Sequence, residues 1–321
     1  MRVLVTGGAG FVGSNLVLEL VARGHAVRVL DNFSSGQRHN LAGVQGDIEL
    51  IEGDLRSYER VHHAVRGCEV VFHEGALPSV PRSVQDPITT SEVNVGGTLN
   101  VLLNARDEGV RRLVFASSSS VYGDAPGFPR REDAAPMPLA PYPVSKLAAE
   151  QYCRVFSSVY GLATVSLRYF NVFGRHQDPA SQYSAVIPRF ISAMREGRPP
   201  TVHGTGRQSR DFTHIDDVVA ANMLAMDAPD AWGQVLNIAC GRDHSLNELV
   251  ATLNRLLGSE IEPVHSARRP GDVERSWADI ARAEKILGYV PAVDLEEGLR
   301  RTLESFEEAA QADRTSAAGK A

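Results

Sequence analysis

Residues 2–13, RVLVTGGAGFVG, constrain this chain more than any other stretch. A short apolar strand runs straight into a glycine turn, and a helical pattern begins at once after it, over residues 13–23. Gly8, Gly10 and Gly13 satisfy the G-x-G-x-x-G fingerprint, and Gly7, Gly10 and Gly13 satisfy a G-x-x-G-x-x-G variant. Such glycines allow a tight turn and a close backbone approach, so that a helix N-terminus can meet a pyrophosphate. A second apolar strand over residues 26–30 ends in Asp31, roughly 20 residues on, where a carboxylate accepts from the adenosine ribose and repels a 2′-phosphate. The pattern predicts dinucleotide binding, with NAD preferred over NADP; the alternative is a glycine turn in an ordinary βαβ unit.

At 321 residues the chain has room for one large or two modest domains. Its net charge of -6 argues against nucleic acid as a partner. Cys68, Cys153 and Cys240 are odd in number and show no C-x-x-C spacing, which fits reduced thiols in a cytoplasmic protein and no zinc site. The N-terminus begins directly with the fingerprint strand, and no apolar run is long enough to span a bilayer, so neither a signal peptide nor a membrane is expected. Residues 309–321 lack apolar periodicity and read as a disordered tail.

Strand patterns at residues 2–6, 26–31, 48–52, 70–73, 112–117 and 163–168 alternate with helical patterns at 13–23, 58–65, 90–108 and 144–160. Alternating strands and helices, with the strands apolar on both faces, predict an α/β fold with a doubly wound, Rossmann-type parallel sheet. Ligands on such sheets bind outside the carboxyl ends of the strands. Beyond about residue 175, proline and glycine punctuate shorter elements with helical patterns at 185–196, 216–226, 245–257 and 279–287. We expect a cofactor domain over residues 1–175. A smaller C-terminal α/β substrate domain follows over 176–308, and part of it returns to the sheet.

Tyr142 and Lys146 lie four apart at the start of a predicted helix, which puts phenol and ammonium on one face. Pro143 suits a first helical position, so Tyr142 stands at the positive end of the helix. An unperturbed tyrosine has a pKa of about 10, and a base working near neutrality needs it lowered by roughly 3 units. Lys146, a nicotinamide cation and the helix N-terminus are the candidate causes. Serines 117–120 follow a strand at its carboxyl end, where a hydroxyl donates to a substrate oxygen beside such a base. At least two of the four read as ordinary polar turn residues.

These residues together resemble the extended short-chain dehydrogenase/reductase superfamily and, within it, the nucleotide-sugar 4-epimerases acting on UDP-glucose or UDP-N-acetylglucosamine. The resemblance covers about residues 1–305 and rests on the glycine fingerprint, Asp31-Asn32, Gly53-Asp54-Leu55, Asn94, the serine run and Tyr142/Lys146. It extends through Arg168-Tyr169-Phe170-Asn171, Arg210-Asp211-Phe212 and Arg269-Pro270-Gly271-Asp272. It implies that Tyr142 takes the proton of the sugar 4-hydroxyl while Ser118 hydrogen-bonds that oxygen. Lys146 then holds the nicotinamide ribose, and bound NAD is regenerated in every cycle.

For the cofactor, the resemblance implies Gly7, Gly10, Phe11, Val12 and Gly13 at the diphosphate. It adds Asp31, Asn32, Ser34, Gly36, Asp54 and Leu55 around the adenosine, and Ala76, Asn94, Tyr142, Lys146 and Tyr169 toward the nicotinamide. For the UDP-sugar, Arg210 and Arg269 are the bidentate cations for the diphosphate. Asn171 donates to a phosphate and Asp272 accepts from the uridine ribose. Ser79, Ser118, Ser119, Tyr142, Gln177, Val186 and His203 line the same cavity. Ser276 stands where epimerases restricted to plain hexoses carry a bulky tyrosine. Serine there leaves room for a 2-N-acetyl group, so UDP-GlcNAc and UDP-GalNAc are expected substrates beside UDP-Glc and UDP-Gal.

Ser119 and Ser120 replace the Asp-Glu pair of related 4,6-dehydratases, and decarboxylases carry Glu at the second of these positions. Their absence favours plain epimerisation over the rival readings, a UDP-glucuronate decarboxylase or another sugar-nucleotide dehydratase or reductase. A non-catalytic NAD-sensing protein would be expected to lack Tyr142 or Lys146. Glu74 and Pro78 depart from the usual residues after the fourth strand. His62, His63 and His214 read as structural or solvated, and no metal is expected. The family's two long helices, here 90–108 and 144–160, pair across a two-fold axis, which implies a homodimer.

Overall fold

The computed structural model describes residues 1–178, 186–267 and 274–318. Its frame is a seven-stranded, wholly parallel sheet. Six strands come from the first half: β1 (Arg2–Thr6), β2 (Ala26–Asp31), β3 (Ile48–Glu52), β4 (Val70–His73), β5 (Arg112–Ser118) and β6 (Thr164–Tyr169). The seventh, β7 (Val235–Ile238), arrives from the C-terminal half and pairs with β6 in parallel. The spatial order is β7-β6-β5-β4-β1-β2-β3, so the winding direction reverses between β1 and β4. That reversal opens the crevice in which doubly wound sheets bind ligands.

The strands read as unbroken apolar runs because both faces are covered. One face packs against α1 (Phe11–Ala22), with Val3, Val5, Leu16, Val17 and Leu20 buried together. The other carries α2 (Tyr58–Val65), α3 (Gly97–Asp107) and α4 (Pro141–Tyr160), with Leu4, Val71, Val101, Leu102 and Phe156 in its core. From the second half, α5 (Val186–Arg195) leads into a smaller lobe, α6 (Ile215–Asp227) returns to pack on the α1 face, and α7 (Leu246–Leu257) belongs to that lobe. Two further helices, α8 (Ala281–Leu287) and α9 (Leu295–Ala318), complete the described chain. The lobe has its own core around Phe190, Ile191, Phe212, Leu249, Leu253 and Leu299.

Three elements differ from the sequence reading. The helix expected over 90–108 is broken into Pro87–Ser91, a wide π-type turn at Glu92–Gly96 and α3. Gly97 lies against Leu55, whose Cβ would be 2.7 Å from any Cβ at that position, so the chain needs both the glycine and the widened turn there. Helix α4 begins at Pro141, three residues before the expected start, which puts Tyr142 inside its first turn; the Tyr142 amide is held by Ser83 Oγ at 3.0 Å. Helix α9 runs on to Ala318 where a tail was expected from 309. Residues 309–318 contain neither Gly nor Pro and half of them are Ala, so intrinsic propensity sustains the helix.

Candidate active site

The crevice at the sheet reversal is built from strand ends. Gly7 leaves β1 with φ +65°, and a Cβ there would come within 2.6 Å of the Gly75 Cα that follows β4. A Cβ at Gly13 would sit 2.2 Å from the Gly7 carbonyl, and one at Gly10 would crowd the same oxygen at 3.1 Å. Gly8 instead packs its Cα against Val29 and lies outside the cleft lining. Gly7, Gly10 and Gly13 line the cleft together and Gly8 does not. Helix α1 starts at Gly10 with no side-chain cap, leaving its first amides directed at the cleft, as a diphosphate requires.

Asp31 closes β2. Its Oδ2 accepts from the Ala9 amide at 2.9 Å and its Oδ1 from the Phe33 amide at 2.8 Å. Burial raises its pKa, and these backbone donors oppose the shift. Each oxygen keeps a further lone pair for a ribose hydroxyl. Asn32 donates to Asp54 Oδ2 at 3.0 Å, and Arg56 holds Asp54 at a pKa of about 2. The glycine cradle, uncapped helix and carboxylate at the end of β2 fit a dinucleotide, whose adenosine ribose Asp31 would hold.

Of the residues expected at the cofactor, Gly7, Gly10, Phe11, Val12, Gly13, Asp31, Asn32, Ser34, Asp54, Leu55, Ala76, Tyr142, Lys146 and Tyr169 all line this one cleft. Two do not. Gly36 stands behind Asp31, where a Cβ would press on Oδ2 at 2.9 Å. Asn94 is 2% exposed, and its side chain bonds the Leu77 backbone and Ser145 Oγ, so it shapes the loop after β4. Sequence reasoning did not assign Ser35, Gly53, Gly75, Leu77, Val93 and Ser117 to the lining. Several of these follow strand ends, where topology alone directs a search.

Of the three residues expected to do the chemistry, Tyr142 and Lys146 line the cleft, and Ser118 stands beside the Tyr142 phenol outside that lining. Ser118 is close enough to the Tyr142 phenol to act on its pKa, and its Oγ lies 2.8 Å from Ser120 Oγ. Burial raises the phenol's pKa and the Ser118 contact opposes this. Lys146 does not lower it as expected. Its Nζ donates to the Ala116 carbonyl at 2.8 Å, stands 5.0 Å from the centre of the Phe115 ring, and interacts electrostatically with Glu74. Burial pushes the Lys146 ammonium down to about 8. Ser117 proves structural: its Oγ donates at 2.8 Å to Glu150, which forms a fully buried ion pair with Arg168 at 2.6 Å.

On the sugar side, Arg210 and Ser276 are neighbours. Ser209–Arg210 pairs in parallel with Arg275–Ser276, with Ser276 opposite Arg210. Asn171, at φ +34°, donates to the Asp211 carbonyl at 3.0 Å and so joins the same patch. Asp211 beneath it is buried and pushed up to about 7 by desolvation, against the amide bonds it receives from Cys240 and Ala278. His203 lies apart on Thr201–His203, with Nδ1 2.7 Å from Ser266 Oγ. Its Nε2 and Gln177 Oε1 are buried without a hydrogen-bond partner among the described residues. Val186 opens α5, Ser79 caps the short helix Val80–Gln85, and Ser119 follows Ser118 in the turn after β5. Arg269 and Asp272 lie outside the described residues.

The sequence profile described as "NAD dependent epimerase/dehydratase family" matches residues 3–239. The chain belongs to this family. Among similar proteins is a UDP-glucose 4-epimerase of Mycolicibacterium smegmatis, 38% identical over 97% of this chain and 100% of that one. A solved UDP-N-acetylglucosamine 4-epimerase from Methanobrevibacter ruminantium, in complex with UDP-N-acetylmuramic acid, superposes with a TM-score of 0.92 at 36% identity, covering 96% of this chain and 98% of that one. The Thermus thermophilus UDP-glucose 4-epimerase, solved with NAD, gives 0.86 at 38% identity, covering 96% and 99%. The family's fold and its NAD cofactor thus agree with the geometry of this cleft.

Among the described residues no helix is long and apolar enough to cross a membrane, and no group of three metal-ligating side chains comes together.

Proposed function

We propose that this protein is an NAD-dependent UDP-sugar 4-epimerase that accepts N-acetylated hexosamines as well as plain hexoses. The observation that carries the reading is Tyr142 and Lys146 together in the lining of a cleft built for a dinucleotide, with Ser118 acting on the phenol. Bound NAD would supply a reversible hydride acceptor, and its cationic ring a charge that brings the phenol's pKa down toward neutrality. Gly7, Gly10, Gly13 and Asp31 would hold it, with Lys146 at the nicotinamide ribose.

Tyr142 removes the proton from the sugar 4-hydroxyl and Ser118 donates a hydrogen bond to that oxygen, steadying it as it becomes a ketone. Arg210 and, by the resemblance, Arg269 grip the diphosphate while the 4-keto ring turns over. Tyr142 then returns its proton to the inverted alcohol. Ser119 and Ser120 offer neither acid nor base at ordinary pH, which favours epimerisation over dehydration or decarboxylation. Ser276, held beside Arg210, leaves room for an acetamido group.

Exposed Val80, Val84, Ile88, Val144, Tyr152, Val155 and Val159 on α4 and the two short helices before the π-type turn support a homodimer. A monomeric mass by light scattering at micromolar concentration would remove that element. The reading places the enzyme in the cytoplasm, where Cys68, Cys153 and Cys240 remain thiols. The enzyme should convert each of UDP-Glc, UDP-Gal, UDP-GlcNAc and UDP-GalNAc to its 4-epimer without added NAD, as followed by chromatography. Release of carbon dioxide, or a requirement for stoichiometric NAD, would replace this reading with a decarboxylase or a net oxidoreductase.

A further inference from the structure

Glu74 takes no part in the chemistry above, yet its carboxyl lies in the middle of the same cleft. It stands one residue beyond β4, at the reversal of the sheet, and lines the cleft with Tyr142, Lys146 and Tyr169. The Tyr169 hydroxyl, at the end of β6, donates to Glu74 Oε1 at 3.0 Å and receives the Asn222 amide of α6 at 2.8 Å. Lys146 of α4 is the cation that interacts with it. His73, next to it in the chain, is bonded between Thr6 and Thr98 and held at about 3 by burial, so it stays neutral. Glu74 is thus a fixed, half-buried carboxyl in contact with the electrostatics of the reacting end.

We infer that Glu74 tunes the charge of the nicotinamide end. It is ionised while the bound ring is cationic and takes up a proton when the ring is reduced and neutral. The inference rests on the proposed binding of NAD with its ring at Tyr142 and Lys146. A carboxylate beside a cation in a half-buried site is favoured, and the same carboxylate beside a neutral ring is costly to keep charged. Burial already pushes Glu74 up to about 7, against the pull of Tyr169 and Lys146. A proton therefore moves on or off near neutrality. Reduction of the free dinucleotide takes two electrons and one proton; here a second proton is taken from solvent onto Glu74. The consequence is an enzyme that rests with its cofactor oxidised, as each turnover requires.

The holoenzyme tests this directly. The bound cofactor is poised against a two-electron redox dye between about pH 6 and 8, and the reduced fraction is read from dihydronicotinamide absorbance. With one extra proton, the reduction equilibrium of wild type should gain up to about tenfold more pH dependence per unit than the free dinucleotide, equivalent to ~30 mV. Glu74→Gln, which keeps the size and the acceptor for Tyr169, should return to the dependence of the free dinucleotide. Tyr169→Phe, which removes a donor from the carboxylate, should move the break to higher pH. Lys146 and, in the proposed function, Tyr142 also exchange protons near this range, so a Glu74→Gln protein that keeps the extra dependence would transfer the role to one of them and overturn the inference. A wild-type holoenzyme without the extra dependence would also overturn it, leaving the proposed epimerase intact. A protein that neither carries nor binds NAD would overturn both.

Discussion

The two walls of the cleft are built differently. On the cofactor side many residues follow the ends of parallel strands, whose places are fixed by register: Thr6 of β1 lies between Leu30 of β2 and His73 of β4. A methyl group at Gly7 or Gly13 would collide with backbone, and one at Gly75 would press on the Leu55 side chain. On the sugar side, Arg210 and Ser276 sit on two-residue strands, and Asn171 is held by one hydrogen bond to a carbonyl. One wall has its shape before any ligand arrives; the other is assembled from short segments. An enzyme that must hold its cofactor still while a sugar turns over is well served by that division.

Tyr142→Phe probes the rigid wall most sharply. Removing the proton acceptor should cut turnover about 10³–10⁴-fold while the protein stays folded and NAD-loaded, measured by epimer formation and by cofactor absorbance after denaturation. The buried scaffold beneath that wall comes next. Arg168→Met strands Glu150, which is buried with Ser117, and should lower unfolding free energy by about 3–5 kcal/mol in urea titration. Ser118→Ala, which removes one neutral donor to the reacting oxygen, should cost about 10²-fold in kcat with the dinucleotide still bound. On the assembled wall, Ser276→Tyr should lower kcat/KM for the acetylated pair about tenfold or more and leave the plain hexoses within about threefold. An equal loss for both pairs would mean that Ser276 shapes the patch without selecting the sugar.

The same contrast explains what could be read in the chain alone. Strands β1 to β4 matched their apolar runs end to end, and fourteen of the residues expected at the cofactor share one cleft. Periodicity and the glycine spacing carry that information locally. The choice between Gly7 and Gly8 was not legible, because it depends on Gly75, remote in sequence and brought alongside by the pairing of β4 with β1. Asn94 looked like a ligand because its type and place suit one; only the fold shows its amide used by Leu77 and Ser145. Lys146 was expected to depress Tyr142, but the Ala116 carbonyl and Glu74 compete for its charge. On the sugar side, β-pairs of two residues have too little pattern to be read at all. Their positions follow from long-range contacts such as Asp211 with Cys240 and Ala278.

The central claim is that one hydrogen leaves C4 of the sugar and returns to the same carbon with inverted geometry, inside a closed cleft. A UDP-sugar deuterated at C4, incubated in ordinary water and analysed by mass spectrometry and NMR, tests it most directly. The account predicts that both 4-epimers at equilibrium keep the deuterium at C4 and that none appears in solvent. Loss of the label to water, at a rate matching epimer formation, would contradict it.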